Sequence, residues 1–298
     1  MKEAGKILAY LAAVLCLGAL LAPPLWWVGQ ALAPHVLGLA FLRETDFQRF
    51  FNRAMLIAAI ALLWPAIRWL RIGSRKELGL EPNPRAWRDL GTGFLAAAVP
   101  LLLLGAVLVH LNIYRLKPEL PWDALPKILL TALVVSAIEE SLFRGGLQGL
   151  VARSSGPRFA LPFVAALFSI VHFLKPREEV VETVRWWSGF ELVPHAFWQF
   201  SEPGLVLAGF TTLFVVGWIL GEATLRTRSL WMAFGLHAGW ICGLKGFSKM
   251  TRRVDRDTLP WLGENLLQGL APLMVLALTY GIVRLLLLRA HARVPGGR

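Results

Sequence analysis

Charge is scarce in this chain. Asp, Glu, Lys and Arg together make up 17% of its 298 residues, against about 25% in an average soluble domain. The charges that do occur cluster between long apolar runs. A soluble chain of this length would need a charged shell around its core, and there is too little charge to make one. Cysteine is nearly absent: Cys16 and Cys242 are the only two, both inside apolar stretches, where they read as small core hydrophobes rather than as a disulfide or a metal cluster. Several catalytic signatures are missing as well. There is no HExxH zinc helix, no GxSxG elbow, and no Walker A or GxGxxG phosphate loop. No aspartate falls in an apolar run, which removes a paired-aspartate mechanism. No aromatic-basic interleaving of a nucleic-acid module appears, so nucleic acid is not an expected partner.

What is present points to a membrane. Hydrophobic residues make up 56% of the chain, and it holds 13 Trp, a residue that collects at the headgroup level of bilayers. The net charge of +12 comes from short basic clusters at the ends of apolar runs, such as Arg68, Arg71, Arg75 and Lys76. That is how helices are anchored against anionic headgroups, so membrane lipid is the expected partner. The first apolar run passes Pro23, Pro24 and Trp27 with no small-residue cleavage pattern and reads as a retained helix. A span needs about 20 apolar residues. Eight candidates follow, near 7–29, 54–71, 92–112, 127–150, 158–174, 204–224, 229–246 and 265–288. The fold class expected is an all-α polytopic transmembrane bundle of about eight spans, forming one integral membrane domain over 1–298. Residues 73–90 read as a polar connecting loop. The 175–203 segment, with its VVETVRWWSGF stretch, reads as an interfacial helix, a lid or a solvated loop. The basic cluster between spans two and three favours a cytoplasmic N-terminus, and the cluster Lys245–Arg256 opposes it. The orientation adopted has both termini cytoplasmic, in a bacterial inner (plasma) membrane.

The fourth span, LLTALVVSAIEESLFRGGLQGL, carries charges that a bilayer disfavours. Each charged side chain near the bilayer centre costs about 2.5–3.5 kcal/mol on insertion scales, so Glu139, Glu140 and Arg144 should face the bundle interior with partners. Glu140 and Arg144 are four residues apart, on one helix face, and can pair. Glu139 points roughly 100° away around the axis, outside that pairing, and is the candidate general base. Two histidines lie in other spans: His172 in FSIVHF, on one face with Phe168, and His237 in SLWMAFGLHAGW. Either alone reads as a core histidine; together with the acidic span they suggest a shared polar site. His35, His195 and His291 fall in loops or the tail, and His110 near a span end. Glu222 reads as an interfacial charge paired with Arg226.

These residues resemble a known family, the CPBP intramembrane proteases, also called the Abi or CAAX-protease family. Its EExxxR motif is matched by Glu139, Glu140 and Arg144, and its FxxxH motif by Phe168 and His172. Its third motif is a histidine followed four residues later by Asn or a similar polar residue. His237 matches the histidine, whereas Ile241 stands at the later position and cannot hydrogen-bond. The resemblance covers roughly residues 90–245. It implies hydrolysis of a peptide bond in a membrane-anchored protein or peptide, with Glu139 and His172 activating water, His237 stabilising the oxyanion, and Glu140 and Arg144 orienting the site. With Ile241 in place, either another donor substitutes, such as a backbone N–H near Gly239 or Gly243, or activity is low. A metal-free mechanism is the one expected. Glu139, His172 and His237 could alternatively hold zinc with an open fourth position. A non-catalytic immunity or scaffold role, and a proton-coupled transporter using Glu139, are the competing readings.

Overall fold

A computed structural model describes residues 2–69, 72–78, 80–174, 181–201, 203–254, 260–263 and 265–292. Among them lie ten α-helices and one pair of three-residue strands. The fold is all-α. Long apolar sequence in lipid can satisfy its backbone only internally, and a helix does so within one segment. Among the described residues five helices are long and apolar enough to cross a membrane: Leu8–Leu32, Phe47–Trp69, Ala86–His110, Val206–Thr227 and Leu270–Leu288. The first, 25 residues long, spans about 37 Å at 1.5 Å per residue, enough for a hydrocarbon core of about 30 Å.

The other three expected spans also fall on helices, but on shorter or less apolar ones, so the count of eight is not reproduced. Helices α4 (Ala124–Glu140) and α6 (Pro157–Phe173) have 17 residues each. Helix α9 (Trp231–Met250) is diluted by Gly235, Gly239, Gly243, Gly246, His237 and two lysines. The expected loop 73–90 is shorter than its composition suggests, because α3 (Ala86–His110) starts within it. Of the 175–203 segment, residues 175–180 lie outside the described residues; the remainder contains a short helix, α7 (Ser188–His195).

The chain divides into two compact units, residues 1–73 with 170–206, and residues 74–169 with 207–298. In the first, α1 (Lys2–Leu32) packs against α2 (Phe47–Trp69) over a core of Ala19, Ala22, Phe47, Phe51, Ala54 and Leu192. Small residues let these backbones approach. The Tyr10 hydroxyl donates to the Ala59 carbonyl at 2.7 Å, fixing the pair axially. Helix α7 lies on α1 so closely that a Cβ on Gly189 would stand 1.9 Å from the Ala19 carbonyl oxygen.

The second unit is built on α3 (Ala86–His110) and α9. A Cβ on Gly235 would stand 2.1 Å from Leu90 O, and one on Gly239 2.4 Å from Phe94 O. Only glycine permits this approach, and the close contact area stands in for the hydrophobic drive that lipid cannot supply. The far end of the pair is tied by antiparallel strands, with Tyr114 opposite Arg253 and Leu116 opposite Thr251. The opposite face of α9 receives α4. Beyond Glu140, α4 runs into π-helical turns over Ser141–Gln148 and then α5 (Gly149–Ser155). The expected fourth span is therefore not one regular helix: it changes winding between Glu140 and Arg144. Helix α8 (Pro203–Thr227) meets this π-helical segment and α6 through Gly217 and Gly221, where a Cβ would stand 3.0 Å from Ala165 Cα and 2.6 Å from Gln148 Oε1. Helix α10 (Leu270–Ala292) packs on α3.

Candidate active site

The last turn of α4 and the π-helical segment carry Glu139, Glu140, Arg144 and Gln148 on consecutive turns. Wide π-helical turns are uncommon and concentrate at functional sites. Here the change of winding occurs where the buried charges begin. Glu140 and Arg144 side chains are fully buried, and Arg144 Nη1 donates to Glu140 Oε1 at 3.0 Å. The other arm of the guanidinium, Nη2, donates to the Gly217 carbonyl of α8 at 3.1 Å. One turn on, Gln148 Nε2 donates to the Gly221 carbonyl at 2.9 Å. Two side chains thus clamp two carbonyls of α8, spaced one turn apart.

Arg144 is the right residue for this task because its rigid fork bonds in two directions and is less strongly hydrated than an ammonium. Its guanidinium carbon lies 4.4 Å from the Phe168 ring centroid, a cation–π contact that strengthens when desolvated. Phe168 is itself 1% exposed. It meets Phe143 edge-on at 5.2 Å and the His237 ring at 5.8 Å. The phenylalanine of the FxxxH pattern is therefore a wall shared by the arginine and the histidine. Ser169, next to it, donates to the Phe210 carbonyl at 2.9 Å and ties α6 to α8.

His237 comes from α9 and is buried. Its Nδ1 lies 2.8 Å from Glu140 Oε1, and its Nε2 lies 3.8 Å from Glu139 Oε2. Glu140 Oε1 already accepts from Arg144, so as a carboxylate it accepts from His237 Nδ1–H too. That bond sets the tautomer: Nε2, with a lone pair in the neutral ring and a proton in the imidazolium, is the nitrogen turned to Glu139. Glu139 is less enclosed than its neighbour, its side chain being 23% exposed against 0% for Glu140. The chemistry available is thus a partly accessible carboxylate facing an imidazole nitrogen. Behind them a dry Glu140–Arg144 pair fixes the ring. Among the described residues Glu140 Oε2 and Arg144 Nε have no hydrogen-bond partner. Leaving such groups unmet costs on the order of 1–3 kcal/mol each, and a catalytic role is one of the reasons for which native structures keep them.

The structure therefore gathers Glu139, Glu140, Arg144, Phe168 and His237 in one unit. His172 follows Phe168 by one turn on α6, is half-buried, and belongs to the other unit. Ile241 lies one turn beyond His237 on α9 and is half-buried. The backbone donors expected near Gly239 and Gly243 lie within the α9 helix, where amides are spent on the helical ladder. Both glycines are also turned to α3, against Phe94 and Leu101. Gln148 and the two α8 glycines went unread in the sequence. The signal available was GWILG, two glycines at a spacing that lets helices meet closely, with a glutamine four residues after the arginine.

For zinc, Glu139 Oε2 and His237 Nε2 supply two donors, whereas a catalytic zinc takes three protein ligands. Among the described residues no group of three or more His, Cys, Asp and Glu side chains is placed to hold a metal ion. Within this unit the donor set is thus two of the three protein ligands a catalytic zinc takes, and His172, the third expected ligand, belongs to the other unit. Elsewhere in the unit, Glu222 pairs with Arg226 at 2.6 Å as the spacing predicts, and also accepts from Tyr280 of α10 at 2.7 Å. It serves as a brace between α8 and α10.

No curated protein and no solved structure matches the chain. A family model does: residues 121–242 match the Rce1-like family, type II CAAX prenyl endopeptidase Rce1-like. The matched stretch contains Glu139, Glu140, Arg144, Phe168, His172, His237 and Ile241. With five of the described helices able to cross a bilayer, the chain is an integral membrane protein whose residues 121–242 are similar to the Rce1-like CAAX proteases.

Proposed function

We propose that the chain is an intramembrane endopeptidase that hydrolyses a peptide bond of a membrane-anchored protein or peptide. The observation that carries this reading is the pairing of Glu139 Oε2 with His237 Nε2 at 3.8 Å beside a fully buried Glu140–Arg144 pair. That separation is longer than a hydrogen bond, and a water accepting or donating to both groups lies within reach of each. Glu139 takes a proton from that water as its oxygen bonds to the scissile carbonyl carbon. The same proton then passes to the amide nitrogen as the C–N bond breaks. His237 donates from Nε2 to the oxyanion when its ring carries both protons. Carboxylates stand at both ring nitrogens to balance that charge. Glu140 and Arg144 hold the ring in register, a preorganisation that costs nothing at the moment of reaction. The family resemblance also assigns His172 a part in water activation. The mechanism needs no metal.

The test is cleavage of a membrane-peptide library by purified protein, comparing wild type with Glu139→Gln, with and without chelator. Cleavage that is lost in the variant and retained in chelator is the expected result. Loss in chelator with recovery on adding zinc would replace the metal-free mechanism by a zinc one. A folded Glu139→Gln protein that cleaves like wild type would sink the assignment of the base.

A further inference from the structure

The mechanism above leaves the oxyanion one side-chain donor, His237, and the position four residues later is the apolar Ile241. Buried indole N–H groups ordinarily find a partner. Trp240 is 5% exposed, and its Nε1 is buried with no hydrogen-bond partner among the described residues. It lies on α9, three residues after His237, on the helix that packs against α4. At 100° per residue, Trp240 stands about 60° from His237 around the axis and about 60° from Gly243, which faces α3, while Gly239, which also faces α3, stands about 160° from His237. Helical side chains lean back over the preceding turn, and the turn preceding Trp240 is the one that carries His237. The orphan donor is therefore carried on the flank of α9 between the histidine and the α3 seam, and it leans toward the turn that carries His237. Glu140 Oε2 and Arg144 Nε, on the segment facing that turn, are likewise without hydrogen-bond partners among the described residues.

We propose that the Trp240 indole N–H is a catalytic hydrogen-bond donor, bonding the scissile carbonyl oxygen and the oxyanion that forms from it. The inference rests on the protease reading given above. An indole N–H suits this position: it donates one bond and accepts none, so it competes neither for the water's proton nor for Glu139. It also supplies a donor on α9 although Ile241 has none to give.

Trp240→Phe removes the N–H and keeps an aromatic ring. Purified full-length protein carrying it is expected to melt like wild type and to cleave peptide with kcat lowered about 10²–10³-fold, the loss typical of one oxyanion donor, with KM little changed. Adding Ile241→Asn to Trp240→Phe is expected to restore part of kcat, which a merely structural tryptophan would not allow. Trp240→Met fills the space flexibly without a donor and replaces the phenylalanine variant if that one melts early. Wild-type kcat in either folded variant would overturn the role of Trp240 while leaving the protease reading standing. Early melting of both variants, with no gain from Ile241→Asn, would make the tryptophan structural and overturn it too. Wild-type protein that cleaves no peptide, or Glu139→Gln protein that cleaves normally, would instead remove the reading beneath it.

Discussion

His237 Nδ1 and Glu140 Oε1 lie 2.8 Å apart, and the same carboxylate oxygen accepts from Arg144 at 3.0 Å. One atom thus holds both the ring that faces Glu139 and the cation that clamps α8. The two adjacent glutamates therefore do separable work, and their amide substitutions should separate too.

Glu140→Gln keeps the shape and leaves the Arg144 guanidinium buried without its anion. Removing one partner of a buried ion pair costs about 3–5 kcal/mol. The variant should melt well below wild type in detergent and lose cleavage. Glu139→Gln, at a side chain 23% exposed, should melt with wild type and lose cleavage alone. Thermal unfolding beside the peptide assay checks both, and equal melting of the two variants would contradict the division of roles.

The Glu140–Arg144 pair was legible in the sequence, because an acid and a base four apart in an apolar run announce both a pair and a cost. The change to π-helical winding at Ser141–Gln148 was not legible, since the spacing of Glu140 and Arg144 fits an ordinary helix as well. Gln148 escaped because a neutral side chain near a helix end draws no attention by charge. The count of eight spans is not reproduced for a related reason. The glycines that let α9 approach α3 also lower its apolarity, so the residues that make the helix central to the fold weaken its membrane signature.

The α3–α9 seam yields a second test. Gly235→Ala places a Cβ 2.1 Å from the backbone oxygen of Leu90, whereas Gly91→Ala meets nothing within 4 Å. The first must push two helices apart and should lower the melting temperature markedly, with cleavage falling as His237 moves off Glu140. The second should be neutral or stabilising by roughly 0.5–1 kcal/mol, the helix preference of Ala over Gly. Matching melts for the two would mean that the seam is looser than its geometry.

Gln148 is expected to respond to charge more than to shape. Gln148→Leu loses one hydrogen bond to the Gly221 carbonyl, about 1 kcal/mol, and the carbonyl keeps its helical partner. Gln148→Glu puts a buried carboxylate against that carbonyl oxygen, so it should destabilise by several times as much near neutral pH and recover as the pH falls and the carboxyl is protonated. Melting curves at two pH values decide it. A glutamate variant that is no worse than leucine at the higher pH would show that the carbonyl is not its partner.

His237 can be split nitrogen by nitrogen. An asparagine amide reaches about as far as Nδ1, and a glutamine amide about as far as Nε2. His237→Asn should keep a donor to Glu140 Oε1, and so keep most of the stability, while removing the nitrogen that lies 3.8 Å from Glu139. His237→Gln should do the reverse, giving up the bond to the buried carboxylate, which for a charged partner is about 1.5–3 kcal/mol. The expected outcome is an asparagine variant that melts near wild type with cleavage abolished, and a glutamine variant that melts lower. If asparagine melted as low as glutamine, Nδ1 would not be the anchoring nitrogen, and the tautomer assigned from the Glu140 contact would have to be reversed. If instead the asparagine variant kept full cleavage, Nε2 would have no part in the reaction, and the donor to the oxyanion would have to be sought elsewhere on α9.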